Sequence, residues 1–176
     1  MPVAEPDPEA WLFAEALHVD GPLRLRLLPD APDPGALEEA TQVLAAIALV
    51  EDRRGDEAAN SGETTLAIRR LEAKLDLTLL LLARLLPGLQ APPPREARLG
   101  ARGLRLDGEA PAGPRATLHW QPADWLPLAI HLPLYRLDGH GSTSWWAFAP
   151  LGAGLEEALE RHVFRLHRRW RASRRP

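Results

Sequence analysis

Cysteine is absent from the 176 residues. That excludes disulfides, thiolate metal sites and cysteine nucleophiles, and it fits a reducing compartment. Lysine is almost absent too, Lys74 being the single one among 21 basic residues, a usage that fits a GC-rich bacterial genome. The opening MPVAEPDPEAW is acidic and holds three prolines, so it has neither the basic start nor the apolar run of a signal peptide. The longest apolar run, residues 77–83, is interrupted at Thr78 and falls far short of the ~20 residues a bilayer-spanning helix needs. These absences lead us to expect a cytoplasmic protein with no membrane span.

Catalytic and metal signatures are missing as well. Neither a phosphate-cradling Gly-x-x-x-x-Gly-Lys nor a dinucleotide fingerprint occurs. Gly139-His140-Gly141-Ser142 lacks the Gly-x-Ser-x-Gly elbow and reads as a hairpin turn. The six histidines, His18, His119, His131, His140, His162 and His167, fall at no recognised ligand spacing, and the last two sit five apart on a predicted helix, which turns them in different directions. No metal, no cofactor and no enzymatic activity are therefore expected.

What is present is a hydrophobic fraction of 45%, enough for one core with an appended segment. Charge is uneven. The first 60 residues carry 4 Arg against 13 Asp and Glu, and the remaining 116 carry 17 Arg and Lys against 11 acids. The C-terminal run Arg161, Arg165, Arg168, Arg169, Arg171, Arg174 and Arg175 beside Trp170 has the composition of a phosphate-binding patch. The acidic half offers a counterion within the molecule or between subunits, so nucleic acid is not expected as a partner.

Along the chain, residues 1–9 are expected to be a flexible tail because Pro2, Pro6 and Pro8 deny it helical continuity. Residues 10–62 form an N-terminal strand and helix segment. Within it Trp11–Leu17 suits a short helix, and Pro22–Leu27 alternates with Leu23, Leu25 and Leu27 inward and Arg24 and Arg26 outward. A helix follows over 36–52, with Leu37, Ala40, Val43, Leu44, Ile47 and Val50 on one stripe. A second helix spans 63–88 and ends at Pro87-Gly88, before the stiff connector Ala91-Pro-Pro-Pro94.

Short strands come next, at 99–106, 115–120, 126–135 and 143–148, with Pro127 and Pro133 pushing the third toward an edge or a bulge. Closure of this sheet would remove its exposed edges. Adjacent Trp145 and Trp146 must face opposite sides of their strand, which leaves one ring outside or under another element and a candidate protein-contact anchor. A C-terminal amphipathic helix, about 155–170, precedes a basic tail at 172–176.

The helix over 63–88 carries a heptad pattern. Ile68, Leu75 and Leu82 fall at position a, and Leu71, Thr78 and Leu85 at position d, over about three heptads. Off the seam its first half is polar, with Arg69, Arg70, Glu72, Lys74 and Asp76, as suits a helix that projects from the body of a protein. In the second half Leu79, Leu81 and Leu86 widen the stripe beyond what a two-stranded coiled coil covers. We expect self-association through this helix, by more than two strands.

The order of heptad helix, proline-rich linker, small β-barrel and Arg-rich C-terminal helix resembles the PilZ domain family. Arg98-Leu-Gly-Ala-Arg-Gly103-Leu-Arg-Leu stands where the family carries Asp/Asn-x-Ser-x-x-Gly, and Trp146-Ala-Phe-Ala with the helix from Leu155 is similar to the family's last strand and terminal helix. The segment Arg70-Leu-Glu-Ala-Lys-Leu-Asp-Leu, joined to this barrel, resembles the atypical, tetrameric branch found in xanthomonads.

The resemblance implies an α+β fold: a small antiparallel PilZ-type barrel, residues 89–171 with the C-terminal helix, joined by N-terminal helices and the long heptad helix. It also implies a non-enzymatic regulatory or adaptor protein, a tetramer that acts through an unknown protein partner in cyclic di-GMP, type IV pilus or virulence signalling. Cyclic di-GMP binding by the usual mode is expected to be weak or absent. Arg98 replaces the Asp/Asn, Gly100 replaces the Ser, only Gly103 is retained, and Arg95 has Ala91 four residues before it, so no Arg-x-x-x-Arg exists in the linker. The residual ligand positions are thus Arg95, Arg98, Gly100 and Gly103, with Arg95, Arg98, Arg102 and Arg105 expected to be solvated strand-edge charges. The alternative reading is a genuine receptor that holds the dinucleotide in another way, between subunits.

Overall fold

The computed structural model describes residues 7–57, 68, 71, 72, 75, 78, 82 and 91–173. Its elements are α1 (Pro8–Phe13), β1 (His18–Leu28), α2 (Ala36–Glu57), β2 (Pro94–Gly100), β3 (Gly103–Asp107), β4 (Arg115–Trp120), β5 (Ile130–His140), β6 (Thr143–Phe148) and α3 (Ala153–Ser173). The six strands form a closed antiparallel barrel in the order β1-β2-β3-β6-β5-β4, an α+β arrangement with helices against its outside.

Closure depends on β1, which changes neighbours along its length. Residues 18–24 pair with β2, and Leu25–Leu28 pair with β4. The strand expected within the N-terminal segment is thus a stave of the barrel, and a barrel confined to residues 89–171 would be left open between β2 and β4. The strand expected over 99–106 is in fact two. A turn at Ala101-Arg102, flanked by Gly100 and Gly103, folds it into the β2–β3 hairpin, in which Leu99 faces Leu104 and Arg98 faces Arg105. The alternation of leucine and arginine changes phase across the turn, from Leu99 at an odd position to Leu104 and Leu106 at even ones, and that phase change is the sequence signal of the hairpin.

Strands β4 and β6 fall where the alternation puts them, whereas the third expected strand starts four residues later, at Ile130, and runs to His140. Pro133 lies inside β5, but its carbonyl accepts from Ala149 N just past the end of β6, so its missing N–H faces the side on which β6 has run out. The register shift of β5 lies at Arg136/Asp138 and not at a proline. Gly141, with φ +60°, makes the turn of the β5–β6 hairpin.

Inward positions of all six strands fill the barrel. Leu25, Leu99, Leu104, Leu106, Leu118, Trp120, Ile130, Leu132 and Trp146 are all essentially buried. Full burial of each such aliphatic side chain contributes roughly 2 kcal/mol. The stripe Ala40, Val43, Leu44 and Ile47 of α2 and the stripe Leu155, Leu159 and Val163 of α3 join the same core. These two helices pack on each other, α2 also on β5 and α3 also on β1. No helix among the described residues is long and apolar enough to cross a membrane.

The N-terminal helix differs from expectation in place and role. It begins at Pro8, inside the expected tail, with Asp7 accepting from Glu9 N at 3.1 Å as its cap and Pro8 at the first helical position, where a missing N–H is harmless. Leu12 and Phe13 then form a second small cluster with Ala147, Leu137 and Trp145 on the outer face of the sheet.

Candidate functional site

On the outer face of the barrel, four neighbouring strands carry a cross-strand row. Asp20 of β1 pairs with Arg98 of β2, Arg98 with Arg105 of β3, and Arg105 with Trp145 of β6. Two guanidinium groups directly opposite each other repel. The conflict is relieved by carboxylates from the N-terminal half. Arg98 Nε donates to Asp20 Oδ1 at 2.6 Å, and Arg98 Nη1 donates to Glu9 Oε1 at 2.5 Å. Arg105 Nη1 stands 3.6 Å from the same Glu9 oxygen, while Trp145 Nε1 donates to Glu9 Oε2 at 2.7 Å.

One carboxylate of α1 thus meets two guanidinium groups and an indole N–H. The Asp20 hydrogen bond, with the charges of Asp20 and Glu9, raises the Arg98 pKa above its ordinary value. Arg98 also lies over the Phe13 ring, 5.5 Å from its centroid.

Both motif glycines are buried beneath the same helix. A Cβ on Gly100 would come within 3.2 Å of the Phe13 ring. At Gly103 a Cβ would collide with the Trp146 carbonyl oxygen and approach Ala147 Cα and Leu12 Cδ2 at 2.9 Å. Gly103 is therefore a close-approach glycine for strand β6 and for α1. Of the expected ligand positions, Arg98, Gly100 and Gly103 come together under α1. Arg95 points elsewhere, its Nη2 donating to Glu109 O at 2.6 Å.

Arg98 and Arg105 are partly buried in ion pairs, contrary to the expectation of solvated charges, whereas Arg102 is exposed. Arg102 donates to Trp11 O at 3.1 Å, and Arg105 also pairs with Asp107 at 3.3 Å. Trp146 is the inward ring, and Trp145 lies half-buried under α1, where the cover makes it an internal contact. The residues that sequence reasoning missed are Glu9 and Asp20. The available signal for Glu9 was Asp7-Pro8, a helix cap followed by a proline suited to the first turn.

Two of the C-terminal arginines find a partner in the acidic half, and a third pairs within its own helix. Glu51 of α2 receives Arg169 at 2.6 Å and lies 3.5 Å from Arg165, and Arg161 pairs with Glu157. The histidines are dispersed. His119 accepts from Arg26 Nε at 2.8 Å and stacks on His131, and burial followed by the neighbouring His131 and Arg26 charges lowers its pKa to about 4. His162, fully buried with Nε2 3.0 Å from Pro122 O, has its pKa lowered to about 4 mainly by burial. His18 and His140 stand beside Asp20 and Asp138, and His167 donates to His18 O at 2.7 Å. Among the described residues no group of three or more such side chains could hold a metal ion.

The second surface is apolar. Ile68, Leu71, Leu75, Thr78 and Leu82 are each helical, and their spacing puts them within about 80° of one another around a helix. All are exposed, Leu71 at 61%, Leu75 at 56%, Leu82 at 49% and Ile68 at 37%. Leu85 and most of the expected helix over 63–88 lie outside the described residues.

A sequence profile described as an atypical PilZ domain, cyclic di-GMP receptor, matches residues 44–176. No curated protein matches the chain. Among solved structures, a pathogenic protein from Xanthomonas campestris, described as a new tetrameric PilZ domain self-assembled via an unusual helical bundle, is 36% identical. It superposes with a TM-score of 0.73, covering 98% of this chain and 99% of that one.

Proposed function

The chain belongs to the atypical PilZ domain family, and from that membership we propose that it is a non-enzymatic adaptor. In this reading it self-assembles through residues 63–88, acts in the cytoplasm by protein contacts in cyclic di-GMP, type IV pilus or virulence signalling, and binds the dinucleotide weakly or not at all. The barrel domain with α3 displays the partner surface.

One observation carries the proposal: four large apolar side chains at heptad positions a and d are exposed together. Leaving Leu71, Leu75 and Leu82 about half in water forgoes about 1 kcal/mol each relative to burial. A second copy of the same seam would recover it. The similar Xanthomonas campestris protein is a tetramer built on a helical bundle, which favours four strands here.

Weak dinucleotide binding rests on the replaced motif positions and on α1 lying over them. Isothermal calorimetry with cyclic di-GMP checks this, with a dissociation constant weaker than about 100 μM expected. The family's description as a receptor favours a second reading, in which the dinucleotide binds in an unusual mode between subunits. A micromolar constant would establish that reading in place of ours.

A further inference from the structure

We propose that α1 is an intramolecular latch on an anion cradle formed by Arg98, Arg105 and the Trp145 indole N–H, and that a phosphate-bearing ligand competes with Glu9 for it. The proposal rests on the weak binding of cyclic di-GMP by the intact chain and supplies its cause.

The cradle comes from three adjacent strands of a closed barrel, so the backbone positions of its donors are fixed whether or not α1 is seated. Its occupant is held less firmly. At six residues, α1 is too short to persist as a helix by itself, and its seat depends on Leu12, Phe13, the Glu9 carboxylate and the Trp11 carbonyl. The Arg98, Arg105 and Glu9 side chains keep 26–30% of their surface in solvent, so the cradle lies at the edge of the covered face, where a ligand can reach it.

The chemistry of the cradle fits phosphate better than carboxylate. Two guanidinium forks offer more donors than the two oxygens of Glu9 can satisfy, and Glu9 Oε1 already serves both Arg98 and Arg105. A phosphate brings further oxygens and accepts a separate bond from each arginine and from the indole. Asp20 holds the Nε edge of Arg98 and Asp107 Oδ2 takes Arg105 Nη2 at 3.3 Å, which leaves the Nη edge of Arg98 and Nη1 of Arg105 for the ligand. Displacement of α1 would also uncover Gly100 and Gly103, a side-chain-free strip against which a flat base can lie, beside the Trp145 ring.

The test is calorimetric titration of sodium pyrophosphate and of cyclic di-GMP into the full chain, the Glu9→Gln and Glu9→Ala variants, and Glu9→Ala combined with Arg98→Ala and Arg105→Ala. Circular dichroism and scattering mass are checked for each. Binding should tighten about ten-fold or more once Glu9 is neutralised, and the gain should vanish in the triple variant. A gain with both ligands identifies phosphate as the recognised group, and a gain with cyclic di-GMP alone adds contact with the base. In the intact chain, saturating pyrophosphate should shift the Trp145 indole N–H resonance, assigned by Trp145→Phe.

No gain in a folded Glu9 variant, with no shift of that resonance, overturns the latch and leaves the weak-binding reading standing. Micromolar cyclic di-GMP binding by the intact chain overturns both.

Discussion

Two glycines separated by three positions have unlike reasons for being glycine. Gly103 is set against the backbone of Trp146, so Gly103→Ala should destabilise the fold by about 1–3 kcal/mol in urea denaturation. Gly100 meets the Phe13 ring of α1 and, at an ordinary contact distance of 3.5 Å, the Leu17 carbonyl oxygen. The sequence motif shows both as glycines in a degraded pattern and cannot separate them, because the obstructing atoms belong to segments far away in the chain.

The buried histidines yield a prediction with a definite sign. His119 and His162 have pKa values lowered from 6.5 to about 4 in the folded chain. Between those values the unfolded chain binds the extra protons, so stability falls as pH drops from 6.5 toward 4. For His162 the loss is on the order of 3 kcal/mol, and His162→Gln should flatten that part of the urea midpoint against pH. An unchanged slope would show that His162 is not protonated on unfolding in this range.

At the scale of elements, periodicity was most informative where a segment faces one core. The boundaries of β4 and β6, and the buried stripe of α2, follow directly from spacing. It was less informative where partners are remote. The Glu9–Arg98 bond spans 89 positions, and the neighbour exchange of β1 depends on where β2 and β4 stand. Three prolines made the N-terminus read as a tail, although one of them starts a helix.

That helix has measurable anchors. Leu12 is fully buried against Ala147 and Trp145, so Leu12→Ala should cost about 2–4 kcal/mol if α1 unfolds with the barrel. A smaller cost together with a red-shifted tryptophan emission would mean that α1 detaches by itself, as a latch does.

For the whole molecule, the division of charge between the halves is answered largely inside one chain. Glu9, Asp20 and Glu51 from the acidic half pair with Arg98, Arg105, Arg165 and Arg169 from the basic half. This leaves the apolar seam as the main unanswered surface among the described residues. Leu71→Glu with Leu75→Glu should yield monomers whose far-ultraviolet circular dichroism and barrel stability are kept, since neither side chain belongs to the core.

The most direct test of self-assembly through the seam is multi-angle light scattering on the intact chain, eluted at micromolar concentration beside that double variant. Four copies of the 19.4 kDa chain predict a mass near 78 kDa for the intact protein and one copy for the variant. An intact chain that elutes at the mass of one copy would contradict the account.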